Sequence, residues 1–430
     1  MFRRASLAPL ALFSSVQRRF NSSQELTALK TQLQKLEKKI QQLEESKASN
    51  GLVSIFASRH MKEMNMKMAL HVFADKSYSS FIFCHKHLPV VLAHFIMQLD
   101  NLPAGLSAMP SVIKVRGIIL NSFLKIVSCK IPTSPEAEKE FIHVLEDIDE
   151  AHAEAELVKT LSVGILELKD HLSRHRRALL ELKESSPQWS RIKLNESDIM
   201  PYEELAGIQE PLDFCNRCIV RYNFMSRMLL NLGNDAKRVG MVDLEVNLER
   251  IVRGAVDEAR QICTDHYGDC PDVEFTISTD TKKIRFPFMT TTIRYIVVEL
   301  MKNAFRATVD AHMKRNSCGI VTCDDMPPVK ILVHMKKGIN HACIRVSDEG
   351  LGMTQKQQEM AMAYSFTTVD KPAISLTNEG HVEHTEAVSP LAGYGYGLPM
   401  SRVYANCFGG DLAIKSMEGF GTRAYYHIQL

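Results

Sequence analysis

The sequence predicts an α+β chain, in which an N-terminal helix bundle is followed by a half that combines a sheet with helices. Three observations predict it. Residues 53–240 carry apolar residues at helical spacing and almost no strand signal. Near Met241 the pattern changes to short alternating runs, VEFTIS, VKILVHM and ACIRVSD, with RAYYHIQL as a terminal strand. Glycine clusters then punctuate the second half and not the first. With 430 residues, 45% hydrophobic and 24% charged, the composition is that of a folded chain long enough for two cores.

The elements follow in order. Residues 1–24 hold Arg3, Arg4, Arg18 and Arg19, several serines and no acid before Glu25. That composition predicts a mitochondrial transit peptide; its short apolar core LAPLALF also fits a secretory signal, but a second Arg pair and the missing A-x-A site do not. Without those four arginines the formal charge passes from +2 to −2, so nothing points to nucleic-acid binding. No run approaches eighteen uninterrupted apolar residues, and no membrane span is expected. In residues 25–47, Leu26, Leu29, Leu33, Leu36, Ile40 and Leu43 step by threes and fours. This is either a short coiled coil that dimerises or an amphipathic helix on its own protein. From 53 to 240, HLPVVLAHFIMQL, SVIKVRGIILNSFLKIV, EAEKEFIHVLEDIDEAHAEAELVKTLSVGILEL and PLDFCNRCIVRYNFMSRMLLNL read as long amphipathic helices of a bundle, broken near Pro103, Pro110, Pro132, Pro135 and Pro187. A second domain runs over 242–430. Within it, residues 369–391 form an aperiodic polar stretch, expected to be a lid or disordered.

Four short motifs carry chemistry. In ELMKNAFRA, Glu299 and Asn303 share a helix face, Lys302 and Arg306 share the adjacent one, and Ile296, Val297, Leu300 and Ala304 anchor the far side. An amide oxygen binds Mg²⁺, and a carboxylate one turn away orients or deprotonates a nucleophile; the plainer alternative is a solvated face. Ser347-Asp348-Glu349-Gly350-Leu351-Gly352 follows a strand, where the glycines free the backbone and Asp348 accepts a bond from an amino group such as adenine's. The plainer alternative is a turn. Gly393-Tyr394-Gly395-Tyr396-Gly397-Leu398-Pro399 leads into a helix whose first amides suit phosphate, with neither Rossmann nor Walker spacing. Gly419-Phe420-Gly421-Thr422 precedes the last strand, where the Thr hydroxyl can reach a base. The ten cysteines form no framework; Cys215-x-x-Cys218 and the pair Cys318 and Cys323 read as buried free thiols rather than a zinc or redox site.

In this order and spacing the motifs resemble the ATPase superfamily of gyrase B, MutL and the sensor histidine kinases. More closely, ELMKNAFRATVDAH, SPLAGYGYGLPMSRVYANCFGGDLAIKSMEGFGT and HLPVVLAHFIMQLDNLP resemble the mitochondrial 2-oxo acid dehydrogenase kinases, over residues 55–430. The resemblance implies a Bergerat-type mixed-sheet ATPase domain behind a helix bundle, in the mitochondrial matrix. It implies an ATP- and Mg²⁺-dependent serine kinase that phosphorylates and inhibits the dehydrogenase component of a pyruvate or branched-chain complex, docks on the lipoyl domain of the acyltransferase core, and forms a homodimer. By position, Glu299 would be the base and Asn303 the Mg²⁺ ligand, with Lys302 and Arg306 near the phosphates. Asp348, with Gly350 and Gly352, would read the adenine amino group, and Gly421 and Thr422 would lie near the base. Gly393, Tyr394, Gly395, Tyr396, Gly397 and Leu398 would cradle the phosphates, and Thr367 and Thr368 would open the lid.

The chain departs from that family where Asp-Arg-Gly-Gly-Gly becomes Asp348-Glu349-Gly350-Leu351-Gly352, which predicts a change of pocket charge at 349 and one fewer free glycine. His152 lies two residues out of register with the family's bundle histidine, and reads as a solvated helix histidine. The Asp-Trp tail of the pyruvate-type kinases is not found up to Leu430, and under the coiled-coil alternative the N-terminal heptads would offer a dimer contact in its place. RFPFM and SFTTV lean to the branched-chain kinases, SMEGFGT and GGDL to the pyruvate kinases. Two other readings stand beside this one: a histidine-kinase-like enzyme, for which FMSRMLLNLGND offers no acceptor His, and a degenerate ATP- or lipoyl-domain-binding module.

Overall fold

Prolines and capping side chains set where the bundle helices begin. Helix α1 spans Met66–Ala74 and α2 spans Tyr78–Asp100. Helix α3, Pro110–Ser128, starts with a proline at its first position, where no backbone donor is lost. Its Ser111 amide and hydroxyl donate to Glu167 at 3.0 and 2.7 Å. Helix α4, Pro135–Glu154, is capped by Ser134, which accepts from the Ala137 amide at 3.3 Å, and carries Glu136 and Glu138 in its first turn. Helices α5, Leu157–Ser185, and α6, Tyr202–Leu230, complete the bundle. Helix α2 packs on α3 and α6. It has the length and apolarity of a membrane span over Ser79–Asp100, and more than half of that stretch is buried in protein, as befits the central helix of a bundle.

These elements come from a computed structural model, which describes residues 48–74, 78–185, 202–233, 235–316, 325–336, 338, 340–364, 374–376, 382–384 and 395–430. The expected leader 1–24, the heptads 25–47, Cys318, Cys323, Thr367, Thr368, Gly393, Tyr394 and most of the 369–391 stretch lie outside those residues. Contacts divide the chain at Ser58 into two units. In the first, a helix covers Ala48–Ala57. The second, Arg59–Leu430, holds everything described below.

In the second half, strands β1 (Arg238–Val239) and β2 (Val242–Val246) precede α7 (Leu248–Tyr267) and β3 (Val273–Ile277). Helix α7 is capped by Asn247 and ended by Gly268 at φ 85°, and buries Leu248, Val252, Ala255, Val256, Ala259 and Cys263 along one stripe. Then come α8 (Thr279–Lys283), β4 (Phe286–Phe288) and the long α9 (Thr290–Asn316). Strands β5 (Val329–Met335) and β6 (His341–Ser347) lead to α10 (Gln355–Met360), whose Thr354 and Gln357 form a capping box. Strands β7 (Ile374–Leu376) and β8 (Val382–His384) pair as a hairpin. Helix α11 (Gly397–Cys407), β9 (Asp411–Met417) and β10 (Gly421–Gln429) end the chain.

The main sheet has the order β3-β5-β6-β10-β9, with β3 parallel to β5 and the remaining pairs antiparallel. This is the mixed sheet of an α+β fold. Alternate residues, Ile331 and Val333 of β5, Ala342 and Ile344 of β6, and Tyr426 and Ile428 of β10, are buried. Helix α9 packs on α7 and reaches β5, β6 and β10, and α11 packs on bundle helix α6. Strand β9 and the small β1-β2-β4 sheet were not expected from the sequence. Of these, β1 and β4 have two and three residues, too few for a period of two to show.

His152 corrects the expectation of a solvated histidine. It is buried between helices, its ring 5.1 Å from that of Tyr222. The Ser122 hydroxyl lies 3.0 Å from the Ile118 carbonyl and 2.9 Å from His152 Nε2, and His152 Nδ1 has no hydrogen-bond partner among the described residues. Helical spacing in α4 itself points inward at 152, since Phe141, Leu145, Ile148 and His152 step by 4, 3 and 4 along the buried face.

Burial lowers the His152 pKa to about 4, opposed in part by Asp149. A folded pKa below the unfolded one means that the unfolded chain takes up the proton first as pH falls. His152 therefore lends stability that is intact above about pH 6.5 and is lost toward pH 4, on the order of 3 kcal/mol in all. Denaturant melts at pH 7 and pH 4.5 are expected to converge in His152→Leu relative to the parent chain. An unchanged difference between the two pH values overturns this.

Candidate functional site

Helix α9 answers why ELMKNAFRA mixes core and polar residues. Ile296, Val297, Leu300, Met301, Ala304 and Phe305 are buried, so the helix is a spine of the domain. Its remaining face is half-buried. There Glu299 Oε1 accepts from Lys302 Nζ at 2.9 Å, the two side chains being 18% and 13% exposed. At that burial the pair is sheltered from solvent screening, and Lys302 holds the carboxylate in one orientation. Among the described residues nothing hydrogen-bonds the Asn303 side chain one turn on. Its oxygen is therefore available to a hard cation, which prefers oxygen ligands. Arg306, a further turn along, has its Nε 4.0 Å from Asp310, which also accepts from the Tyr267 hydroxyl at 3.4 Å.

The second wall is the end of β6. Register pairs Ser347 of β6 with Arg423 of β10, so the motifs that follow and precede those residues meet. Asp348 Oδ1 accepts from the amides of Gly350 and Thr422, at 3.0 and 3.2 Å. The Asp348 amide donates back to the Thr422 carbonyl at 3.0 Å. Burial pushes the Asp348 pKa up to about 6, against the pull of those amides. Its Oδ2 has no partner among the described residues, and is the acceptor the site offers to an amino group. The Thr422 hydroxyl shares a 2.9 Å bond with Ser416. Gly352 (φ 68°) lies against the Met417 carbonyl and Gly421 (φ 111°) against that of Asp348, closer than any Cβ permits.

Two glycines bring backbone onto α9 itself. A Cβ on Gly350 would meet Ala307 Cβ and carbonyl oxygen, both at 2.8 Å. A Cβ on Gly397 would run into the Glu299 carboxylate. Gly397 opens α11, which has Tyr396 at its N-cap and no side chain capping its first amides. Gly395 precedes it at φ 70°, and Leu398 is half-buried. Uncapped amides at a helix start form an anion site, and here they stand beside Glu299. The described residues thus fit an adenine nucleotide and a divalent cation: an acceptor for an amino group, a free amide oxygen and a phosphate-binding helix end along one wall.

Of the residues expected from the sequence, Glu299, Lys302, Asn303, Arg306, Asp348, Gly350, Gly352, Gly395, Tyr396, Gly397, Leu398, Gly421 and Thr422 are described, and they line α9, α11 and the β6 and β10 ends. Glu349 is a correction. It bonds Lys330 at 2.8 Å, the side chains 52% and 48% exposed, so its charge is matched at the sheet surface rather than delivered to the pocket. Ser347 faces Lys330 across the strand pair, and this register sets the reach. Cys215 and Cys218 are buried free thiols on α6, and burial pushes Cys218 up to about 12. Among the described residues no three His, Cys, Asp or Glu side chains gather into a metal cage. Sequence reasoning missed Asp213, Tyr364 and Arg402, which meet behind α11.

Comparison with known proteins agrees with the geometry. Residues 58–238 match the family described as mitochondrial branched-chain alpha-ketoacid dehydrogenase kinase. Residues 289–430 match the histidine kinase-, DNA gyrase B- and HSP90-like ATPases. The mitochondrial pyruvate dehydrogenase (acetyl-transferring) kinase of Drosophila melanogaster is 30% identical over 81% of this chain and 77% of its own length. That of Arabidopsis thaliana is 29% identical over 80% and 83%. The Homo sapiens isozyme 3 is 29% identical over 82% and 78%.

The two α9-facing glycines differ in what they touch, which separates stability from site geometry. Gly350→Ala meets backbone that cannot yield, and is expected to cost about 1–3 kcal/mol in a thermal melt. Gly397→Ala meets the end of a flexible side chain, so it should cost under about 1 kcal/mol while displacing the Glu299 carboxylate. Equal destabilisation by both substitutions contradicts this placement.

Proposed function

Since the chain belongs to the mitochondrial 2-oxo acid dehydrogenase kinase family, within the histidine kinase- and gyrase-like ATPases, we propose that it transfers the γ-phosphoryl group of ATP to a serine on the dehydrogenase component of a pyruvate or branched-chain complex, and so inhibits that complex. The observation that carries this reading is the contact of Gly397 with Glu299, one turn from the unengaged amide of Asn303. It supports reading Glu299 as the base, Asn303 as the cation ligand and the start of α11 as the phosphate site.

Asp348 Oδ2 accepts the adenine amino group, and Thr422 borders the base. The α11 amides hold the phosphates. Asn303 would hold Mg²⁺ through its amide oxygen, and the ion would neutralise charge on the transferring group. Glu299, oriented by Lys302, takes the proton of the serine hydroxyl as its oxygen bonds to the γ-phosphorus and the bond to the leaving ADP oxygen breaks. The mitochondrial names of the relatives and the arginine-rich leader support a place in the mitochondrial matrix. A lipoyl-domain dock on the bundle and a homodimer complete the proposal.

The test supplies Mg²⁺-ATP and, separately, purified pyruvate and branched-chain dehydrogenase components. Acid-stable phosphoserine on one of them is expected. Acid-labile phosphate on the chain itself points to a histidine kinase, and ATP binding without transfer to either component overturns the substrate assignment. Asn303→Ala is expected to abolish transfer. Glu299→Gln should lower turnover by roughly a hundredfold or more, with ATP affinity nearly unchanged.

Asp348 gives the site a pH signature. Its pKa of about 6 before binding means that acid protonates the very group that must accept the amino hydrogen. ATP affinity should fall by up to about tenfold per unit below pH 6. Calorimetric titrations between pH 5 and 8 check this, and Asp348→Ala should weaken binding at pH 7 and flatten the slope.

A further inference from the structure

One carboxylate of the bundle grips two elements of the sheet half. Gln209 and Asp213 lie four residues apart on one face of α6. Gln209 Oε1 accepts from the Tyr364 amide at 2.8 Å. Asp213 Oδ1 accepts the Tyr364 hydroxyl in a short bond, and Oδ2 accepts from Arg402 Nη2 at 3.2 Å. Arg402 is on α11, and Tyr364 lies just beyond α10. The Tyr364 ring lies 4.8 Å from that of Tyr396, the residue that caps α11 and precedes Gly397. Tyr364 is 2% exposed, and the Asp213 and Arg402 side chains are 19% and 29% exposed, so the cluster is held in a sheltered place.

None of these bonds touches the proposed nucleotide groups, yet α11 carries Gly397, and Gly397 rests on Glu299. A shift of α11 by a fraction of its diameter would separate its first amides and the carboxylate from their common target. The adenine end has a different support. Gly350 rests on Ala307 of α9, and Asp348 is fixed by the Gly350 and Thr422 amides. Among the described residues, the bundle's direct side-chain bonds thus reach the phosphate end through α11, while Asp348 at the adenine end is held by the Gly350 and Thr422 amides and meets the bundle only indirectly, through α10, Ser416 and Thr422.

We propose that Asp213 is a positioning residue for the phosphoryl end of the site: by binding Tyr364 and Arg402 together, it seats the start of α11 against Glu299. The proposal rests on the nucleotide reading above. It predicts a loss confined to ligands that carry phosphates. A purely structural role for Asp213 predicts a loss common to all ligands, or a loss of fold alone.

The experiment measures dissociation constants of Mg²⁺-ATP and of adenosine by calorimetry, for the parent chain and for Asp213→Asn, beside a thermal melt. Loss of the charge opposite Arg402 is expected to weaken ATP about tenfold and to leave adenosine within about twofold. Tyr364→Phe, which deletes only the hydroxyl, should move the same ratio in the same direction, and it serves if Asp213→Asn does not fold. In the double variant the two effects on ATP should be less than additive, because both act through one carboxylate. Equal weakening of ATP and adenosine, or unchanged ATP affinity in both single variants, overturns the proposal. If the parent chain binds adenosine and ATP equally weakly, the nucleotide reading fails and this inference with it.

Discussion

The close approach of two glycine backbones to helix α9 is the constraint on which the rest of the site depends. Gly397 lies against the Glu299 carboxylate that α9 projects, and Gly350 lies against the helix itself at Ala307. Eight residues of helix separate those levels, about 12 Å along the axis. Asn303 lies midway with its amide uncommitted. A helix gripped at two levels in this way must be packed like core on one side, and it is, with Ile296, Val297 and Leu300 all buried. Its other side must have its polar groups either paired, as Glu299 is with Lys302, or available to a ligand.

Sheet topology supplies the wall opposite. Placing β10 next to β6 brings Asp348 to Thr422 across 74 positions of sequence. The backbone at this junction is locked reciprocally, each residue donating an amide to the other. A buried carboxylate that spends only one oxygen on that lock leaves the second without a partner among the described residues. The pairing of β6 with β5 on its other side brings Lys330 to Glu349 at the surface, so a change of sign in the motif leaves the interior charge untouched.

The bundle helices, strands β3, β5, β6 and β10 and the glycine motifs were legible because each depends on local periodicity or on glycine placed where backbone must bend. That α9 is core on one face and carries Glu299 and Asn303 on a half-buried face was legible too, from those two residues recurring at one turn beside buried aliphatics. Other features were not. The register comparison with the family's histidine puts His152 on a solvated face, whereas its own helix places it on the stripe of Phe141, Leu145 and Ile148; what the sequence does not show is that Ser122 and Tyr222 from two other helices meet it there. Asp213 and Arg402 are 189 residues apart, and nothing in either neighbourhood marks them as partners. Glu349 looked like a pocket residue because register across β5 and β6, which decides its reach, is not written in the motif. Local rules announce elements and turns; encounters between distant elements need the fold.

The position of α6 has a consequence for how this protein can be divided. The helix belongs to the bundle by sequence, yet its Asp213 and Gln209 complete bonding for Tyr364 and Arg402 on the far side of the chain's midpoint. A fragment cut near residue 241 would leave an arginine and a buried tyrosine hydroxyl without their acceptor, and would strip the apolar cover from α11. The catalytic half is thus no free-standing cassette. Any ancestral or engineered exchange of bundles among such enzymes has to carry α6 along with the ATPase portion, or rebuild its acidic contact from the new partner.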